Sequence, residues 1–173
     1  MGNARSALLI PVEKNRTSSG AESQDLKQQL PQHNSTFKPS MILSKKLYVG
    51  SRLDGMSCKL KNPLKATHVL CLEATGRYPD SKSKLHYMIE PMSDGGATDL
   101  ESFWEKVKDF VIEGAERRLV IHCHCGVNRG PTVAIMYLIL VKKYSYEDAF
   151  ALVSSKRPEM NIHPRYLKQL QSL

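Results

Sequence analysis

One stretch decides the fold: Ile121-His122-Cys123-His124-Cys125-Gly126-Val127-Asn128-Arg129-Gly130-Pro131-Thr132. The apolar residues before it, 118–121, predict a buried strand, and the apolar run after it, 132–141, is long enough for a buried helix. Pro131 is acceptable in the first turn of that helix, where its missing N–H costs nothing. The sequence therefore predicts a strand, a glycine-containing loop and a helix in direct succession.

A cysteine and an arginine flank the loop, Cys123 and Arg129, with five residues between them. Backbone N–H groups in such a loop, together with the positive end of the following helix, point at one spot and form an anion site. A cysteine placed there is stabilised as the thiolate, which is the nucleophilic form. We therefore predict a phosphate site in which Cys123 is a nucleophile.

Composition places the chain among intracellular proteins of ordinary domain size. It has 173 residues, enough for one domain with a real core and a tail. The longest apolar run falls short of the ~20 residues of a membrane span, and the start of the chain lacks a secretory signal. Of the four cysteines, two lie in the loop, so free thiols in a reducing compartment are expected. We expect a cytoplasmic protein.

Composition along the chain predicts two regions, a polar and flexible tail over 1–40 and a folded domain over 41–173. Strands are predicted at 46–50, 67–72, 86–90 and 118–122. Helices are predicted from an Asp99 cap to about 114–117, after the loop to about 143, from a Ser145 cap to about 155, and over 163–173. Strands that lead into helices indicate an α/β layer fold.

The formal charge of +8 is concentrated near the start of the predicted domain, over residues 41–70. The rest of the domain is nearly balanced. Such a stretch forms either a solvated surface or a site for an anionic partner such as a membrane. Nucleic acid is not expected, because no interleaved aromatic residues or binding module accompany the basic residues. The basic residues are Lys45, Lys46, Arg52, Lys59, Lys61 and Lys65, against Asp54 alone.

The loop matches a family signature, His-Cys-x2-Gly-x2-Arg, at His122, Cys123, Gly126 and Arg129. With it the chain resembles the dual-specificity branch of the cysteine-dependent protein tyrosine phosphatases. The resemblance extends over roughly 43–172, through 47–50, 67–70, the Asp94 region, 147–149 and 169–170. It implies an α/β fold with a central mixed sheet of four to five strands flanked by helices. It also implies a phosphorylated protein as substrate and no cofactor.

The resemblance implies a role for each residue of the site. Cys123 attacks phosphorus and forms a phosphocysteine intermediate, and Arg129 holds two phosphate oxygens through its planar fork. His122 supports the loop without contacting the substrate. Asp94, in a mobile-looking loop after strand 86–90, is the general acid. The remaining phosphate oxygens are bound by backbone N–H groups of the loop residues His124, Cys125, Gly126, Val127, Asn128 and Arg129.

Two positions depart from the family pattern. Gly130 stands where the family has Ser or Thr, a hydroxyl implied to assist hydrolysis of the phosphocysteine, so we expect a slow second step. Cys125 replaces a small residue; we expect a packing thiol, with a second redox-active sulfur as the alternative. Cys71, in the predicted strand 67–72, is either a small buried hydrophobe or a partner that resolves oxidised Cys123.

Three other functions compete with protein dephosphorylation. A low-turnover module that binds phosphorylated proteins is favoured by Gly130. A phosphoinositide phosphatase is disfavoured, because its relatives carry Lys or Arg inside the loop and this chain does not. A zinc site built from 122–125 is disfavoured, because successive strand residues point to alternating sides and no second ligand pair follows. We expect no metal. Sequence leaves the oligomeric state and the phosphotyrosine versus phosphoserine/phosphothreonine preference open.

The first residues, Met1-Gly2-Asn3-Ala4-Arg5-Ser6, match the N-myristoylation pattern with Gly2 as acceptor. One acyl chain anchors only marginally, so a second signal is needed. The basic residues at 45–65 are candidates for that signal. We expect membrane association if both operate, with a chance match as the alternative.

Overall fold

The fold is built on a five-stranded sheet with the strand order β1-β2-β5-β3-β4. The computed structural model describes residues 38–74 and 84–173. Pairing is parallel between β2, β5, β3 and β4, whereas β1 runs antiparallel along β2. A mixed α/β sheet was predicted and is confirmed. The strands are β1 (Ser40–Leu43), β2 (Leu47–Gly50), β3 (His68–Cys71), β4 (His86–Ile89) and β5 (Leu119–His122).

Helices cover both faces of the sheet. The helices are α1 (Arg52–Leu60), α2 (Leu100–Glu116), α3 (Arg129–Leu140), α4 (Tyr146–Lys156) and α5 (Pro164–Leu170). Side chains alternate between the two faces of each strand, so Val69 and Val120 pack with Cys58 of α1, while Leu70 and Ile121 belong to the larger core with the other helices. No helix within 38–74 and 84–173 is long and apolar enough to cross a bilayer.

The predicted helix starts at Asp99 and Ser145 are confirmed by their capping bonds. Asp99 accepts a hydrogen bond from the Ser102 N–H at 2.8 Å, and Ser145 accepts one from the Asp148 N–H at 3.1 Å. Each satisfies an N–H that the first helical turn leaves unpaired. Two elements were not predicted, the edge strand β1 and the helix α1. Helix α1 carries a recognisable signal, a reciprocal capping box between Ser51 and Asp54.

Helix α1 lies unusually close to the strand that leads into the loop. A Cβ atom built on Gly55 would fall 2.4 Å from Cδ2 of His122, which no real contact allows. Glycine at 55 therefore permits α1 to rest directly on the His122 ring at the end of β5. This close approach fixes the residue immediately before Cys123.

Candidate active site

The predicted phosphate loop, 123–128, joins the end of β5 to the start of α3 and borders a pocket of about 270 Å³. The pocket brings together residues from three separate parts of the chain. It is lined by Glu73, Asp94, Cys123, His124, Cys125, Val127, Asn128 and Arg129. The three residues predicted to be catalytic, Cys123, Arg129 and Asp94, thus share one cavity.

A buried arginine holds the outer side of the loop. Arg157 is 4% exposed, and its Nε donates to the Gly126 carbonyl at 2.6 Å while one Nη donates to the Cys125 carbonyl at 3.3 Å. Its other Nη donates to the carbonyl of Val49 at 3.3 Å, which ties the loop to β2. Gly126 itself has a φ of 74°, in the left-handed region that favours glycine.

The neighbouring carbonyls are held from outside as well. The His124 carbonyl accepts from the Arg52 N–H at 3.0 Å, and the Val127 carbonyl accepts from the Asn161 N–H at 2.8 Å. Four successive carbonyls, 124–127, therefore bind groups around the loop. In a trans peptide the N–H of the next residue points opposite to the carbonyl, so the N–H groups of 125–128 point away from these partners. This arrangement is suited to binding an anion.

The first turn of α3 adds unpaired donors. Asn128 occupies the N-cap position but makes no side-chain capping bond, and the first helical hydrogen bond comes from the Thr132 N–H. Pro131 has no N–H to leave unpaired. The N–H groups of Arg129 and Gly130 therefore lie at the positive end of the helix without a helical partner.

Cys123 lies at the base of the pocket, with only 2% of its surface exposed. Gly130 occupies the position where the family has a Ser or Thr hydroxyl, and a Cβ built there would lie 4.0 Å from the Cys123 Sγ. The nearest obstacle to that Cβ is Cγ1 of Val49 at 3.1 Å. A serine at 130 would therefore place its hydroxyl next to the sulfur.

Arg129 is held by the ends of two strand segments. One Nη donates to the carbonyls of Leu72 and Met92, at 3.2 and 3.3 Å, and Nε lies 3.0 Å from Oδ1 of Asp94. The residue is 8% exposed. These contacts fix the guanidinium beside the pocket and in ion-pair contact with the predicted general acid.

Asp94 lies at the pocket, whereas Asp99, the next carboxylate along the chain and the other candidate for a general acid, does not border it. The Asp94 side chain is 68% exposed, and its loop is tied down by neighbours. The Ser93 N–H donates to Thr98 Oγ1 at 2.9 Å, and the Tyr166 hydroxyl donates to the Ser93 carbonyl. The expectation of a mobile loop is not supported by these contacts. Hydrogen bonds from the backbone N–H and then the side chain of Ser102 lower the pKa of Asp99, which serves as a helix cap.

Glu73 is a residue of the pocket that the sequence did not predict. Its carboxylate is 7% exposed and accepts two hydrogen bonds from the Arg52 guanidinium, at 2.6 and 3.0 Å. His124 Nδ1 lies 3.3 Å from the same carboxylate. Burial acts to raise the pKa of Glu73, but the hydrogen bonds and charge of Arg52, with smaller contributions from His122 and His124, outweigh it and lower the pKa. Glu73 is therefore held as a carboxylate.

His122 is buried behind the loop and does not border the pocket. Burial lowers its pKa to about 4, against the opposing influence of Glu73. Its Nε2 lies 3.3 Å from the Tyr87 hydroxyl. The neutral ring lies at the end of β5 and packs against Gly55 of α1, and the supporting role of His122 stays a prediction.

The cysteines fall into two groups. Cys71 is buried, and its strand register places it opposite His122, the neighbour of Cys123. Cys125 is exposed, so the expectation that it packs as a buried thiol is wrong. Cys125 borders the solvent-open pocket rather than the core, and its carbonyl is the group that binds Arg157. Burial, together with the charge of Asp54, raises the pKa of Cys58 to about 12, so it is an inert core residue.

One cluster of metal-ligating side chains occurs within the described ranges: Cys71, Glu73 and His122, with ligand atoms within 4.8 Å of one another. It is not the 122–125 set weighed from the sequence. Both Glu73 oxygens already bind Arg52, so a cation there would have to displace the guanidinium. The donor set thus fits a structural ion pair better than a metal centre.

The residues that sequence reasoning missed, Arg52, Glu73 and Arg157, reach the loop from distant positions. Glu73 lies 21 residues from Arg52, and Arg157 lies 31 residues from Gly126. No local spacing links such pairs. The only available signal was a charged residue next to an apolar strand, which is Glu73 after 67–72.

Comparison with known proteins gives the family. Residues 47–173 match the model of the dual specificity phosphatase catalytic domain. The chain is 32% identical over 124 residues to dual specificity protein phosphatase PHS1 of Arabidopsis thaliana, covering 67% of this chain and 13% of that protein. It is 26% identical over 128 residues to human dual specificity protein phosphatase 5, covering 72% and 33%. The chain belongs to the dual specificity phosphatase family.

Solved structures agree on the fold. The crystal structure of DUSP15 superimposes with a TM-score of 0.70 at 19% identity, covering 79% of this chain and 87% of that one. The human tyrosine phosphatase-like serine/threonine/tyrosine-interacting protein gives 0.68 at 23% identity, covering 79% and 95%. The chain spans only 13% of the length of PHS1 and 33% of the length of human dual specificity protein phosphatase 5.

Proposed function

We propose that this protein hydrolyses phosphate monoesters on tyrosine, serine or threonine side chains of proteins, through a phosphocysteine intermediate. The observation that carries the proposal is the single pocket bordered by Cys123, Arg129 and Asp94 at the start of α3. Membership of the dual specificity phosphatase family supports it independently. No cofactor is required by this chemistry.

In the first step the Cys123 thiolate attacks phosphorus, and the bond from phosphorus to the ester oxygen breaks. Asp94 donates its proton to the departing oxygen, a contribution on the order of 10²–10⁴ in rate. The loop N–H groups and Arg129 bind the non-bridging oxygens as charge builds on them. Cys123 is the first residue of the loop and borders the same pocket as Arg129 and Asp94, which suits this step.

In the second step a water attacks phosphorus, Asp94 accepts a proton from it, and the Cys123 sulfur departs as thiolate. A hydroxyl at 130 would stabilise that sulfur, and this chain has Gly130. We infer that hydrolysis of the phosphocysteine limits turnover. If that hydrolysis were very slow, the protein would act mainly as a module that binds phosphorylated proteins.

The pocket favours a single phosphate over a lipid headgroup with several phosphates. The variable loop positions carry no Lys or Arg, and the Arg52 guanidinium at the border is paired with the buried Glu73 carboxylate. A second phosphate on an inositol ring would find no lysine or arginine at the variable loop positions to bind it. This supports a phosphoprotein substrate over a phosphoinositide.

The deciding experiment measures phosphate release from a phosphotyrosine peptide, a phosphothreonine peptide and a soluble phosphoinositide, with p-nitrophenyl phosphate as a generic ester. We expect release from at least one peptide and none from Cys123→Ser, which should still bind the peptide. Release from the phosphoinositide alone would overturn the substrate class. Absence of release from every ester, with peptide binding retained, would favour the binding module.

We also propose that Gly2 is myristoylated and that the protein is cytoplasmic with reversible membrane association. Gly2 lies outside the described residues. Of the basic residues proposed as a second signal, Lys45, Lys61 and Lys65 are exposed, whereas Lys46 pairs with Glu116 at 3.6 Å and Arg52 pairs with Glu73. Gly2→Ala should move the protein into the soluble fraction, and unchanged fractionation would remove the proposal.

A further inference from the structure

The side chain of Asn128 joins the phosphate loop to the loop that carries Asp94. Its Nδ2 donates to the Asp94 carbonyl at 2.8 Å and to Asp94 Oδ1 at 3.1 Å. Its Oδ1 accepts from the His163 N–H at 2.9 Å. The amide orientation is unambiguous, because the His163 N–H can only donate and the Asp94 carbonyl can only accept. Both donors and the acceptor of this side chain are used.

These bonds are made where water competes little. Asn128 is only 9% exposed, whereas the Asp94 side chain it holds is 68% exposed. An exposed carboxylate on a loop samples several rotamers unless a fixed donor selects one. Within the described ranges, Asp94 makes one ion-pair contact, with Arg129, the next residue along the chain from Asn128. Both residues that hold the carboxylate therefore stand at the start of α3.

We propose that Asn128 is a positioning residue that sets the carboxyl group of Asp94 against the phosphate site. The inference rests on the proposed function, in which Asp94 is the general acid. Because Asn128 is itself part of the phosphate loop, its hydrogen bonds link the Asp94 carboxyl group directly to the phosphate-binding N–H groups. An alanine at 128 lacks these donors, and an aspartate would oppose Asp94 with a like charge.

Leaving-group dependence tests this role. An ester whose leaving group is a weak base needs little protonation, while phenyl phosphate needs much more than p-nitrophenyl phosphate. Because hydrolysis of the phosphocysteine limits kcat in the proposed scheme, the first chemical step is followed by kcat/KM. We expect Asn128→Ala to lower kcat/KM for phenyl phosphate about ten-fold or more relative to its effect on kcat/KM for p-nitrophenyl phosphate, since general acid catalysis is worth about 10²–10⁴. Equal losses with both esters would overturn the proposal.

Gln169→Ala provides the matched control. Gln169 is a partly buried amide that also braces the segment after Asp94, by accepting from the Leu100 N–H at 2.8 Å and donating to the Thr98 carbonyl at 3.1 Å. It makes no hydrogen bond to Asp94. Its removal should leave the ratio between the two esters within about two-fold of the native value, since it removes no proton donor. A shift like that of Asn128→Ala would overturn the specific role.

A double-mutant cycle with Asp94→Asn separates positioning from general loosening. If Asn128 acts through Asp94, adding Asn128→Ala to Asp94→Asn should change the ester ratio no further. An additional loss of the same size would overturn the inference.

If the native protein is inactive, the proposed function fails. The hydrogen bonds from Asn128 to Asp94 can still be tested, by amide hydrogen exchange. The Ser93 and Gly95 N–H groups, bonded to Thr98 Oγ1 and Ser93 Oγ, should then exchange faster in Asn128→Ala than in the native protein. Unchanged exchange would show that Asn128 does not hold the loop that carries Asp94.

Discussion

Glu73 and Arg52 form a two-point ion pair at the border of the phosphate pocket, with donor–acceptor distances of 2.6 and 3.0 Å. A carboxylate beside an anion site would repel the substrate if its charge were not balanced. The Arg52 guanidinium, 44% exposed, balances it from the solvent side. The pair thus lets the pocket carry a buried carboxylate and still accept a phosphate.

Removing Arg52 should therefore weaken phosphate binding. We expect Arg52→Ala to raise the inhibition constant of inorganic phosphate several-fold and to lower the free energy of unfolding by roughly 1–3 kcal/mol, because it leaves a buried charge uncompensated. The double variant Arg52→Ala/Glu73→Gln, which restores neutrality, should recover most of the phosphate affinity. A double variant as weak as the single one would mean that Arg52 acts on phosphate directly.

A serine at position 130 should accelerate the second chemical step. The built Cβ lies 4.0 Å from the Cys123 Sγ, so the Gly130→Ser hydroxyl can reach the departing sulfur after Val49 shifts slightly. We expect the native protein to show a burst followed by a slow steady rate with p-nitrophenyl phosphate. Gly130→Ser should raise the steady rate.

Gly130→Ala adds the same Cβ without the hydroxyl and serves as the control. It should leave the slow steady rate unchanged. A linear time course with rapid turnover in the native protein would contradict the assignment of the slow step.

Asp94→Asn should lower kcat/KM, which reports the first chemical step, most with poor leaving groups, by a factor on the order of 10²–10⁴. Asp99→Asn should have little effect on kcat/KM, because Asp99 lies outside the pocket and accepts from the Ser102 N–H at the start of α2. Steady-state assays with phenyl phosphate distinguish the two. The reverse result, with Asp99 essential and Asp94 dispensable, would show that the general acid is misassigned.

Stability should fall in mild acid because of His122. Its pKa is lowered from 6.5 to about 4 in the folded protein, so between these values the unfolded chain binds a proton that the folded protein excludes. Stability is therefore lost as pH falls from 6.5 towards 4, by roughly 2 kcal/mol at about pH 5.

Urea unfolding of native protein and His122→Asn at about pH 7.5 and 5 would measure this loss. The variant should be less stable at neutral pH but should lose clearly less stability on acidification. His68, whose pKa is also lowered by burial, titrates in both proteins and so cancels in the comparison. An equal acid loss in both proteins would exclude His122 as the cause.

Mild peroxide should test the predicted redox roles of Cys71 and Cys125. The redox alternative for these two residues predicts a disulfide from Cys123 to one of them, observed by peptide mass spectrometry without reduction. Cys71 of β3 is paired in register with His122 of β5, the residue before Cys123, and Cys125 is exposed. Cys71→Ser and Cys125→Ser would identify the partner through irreversible over-oxidation of Cys123. Absence of either link in the native protein would end the redox hypothesis.

Much of the fold could be predicted because its signals are local. The helix caps at Asp99 and Ser145, the buried strand before Cys123 and the apolar helix after it are set by neighbours within a few residues. Strand β1 was missed because four residues at a sheet edge carry too little pattern. Helix α1 was missed because its nine residues include Gly55, which weakens helix propensity and is explained only by the His122 ring above it.

The sequence by itself determined the chemistry of this protein. A cysteine and an arginine spaced around a glycine-containing loop, between a strand and a helix, can close on an anion whatever the rest of the chain does. Only the tertiary structure decided the surroundings of that loop: Asn128 against Asp94, 34 residues apart, Arg52 against Glu73, and Arg157 behind the loop. The first two pairs meet because parallel strands bring distant segments to one edge of the sheet, whereas Arg157 reaches the loop from the end of α4. No spacing along the chain records either meeting.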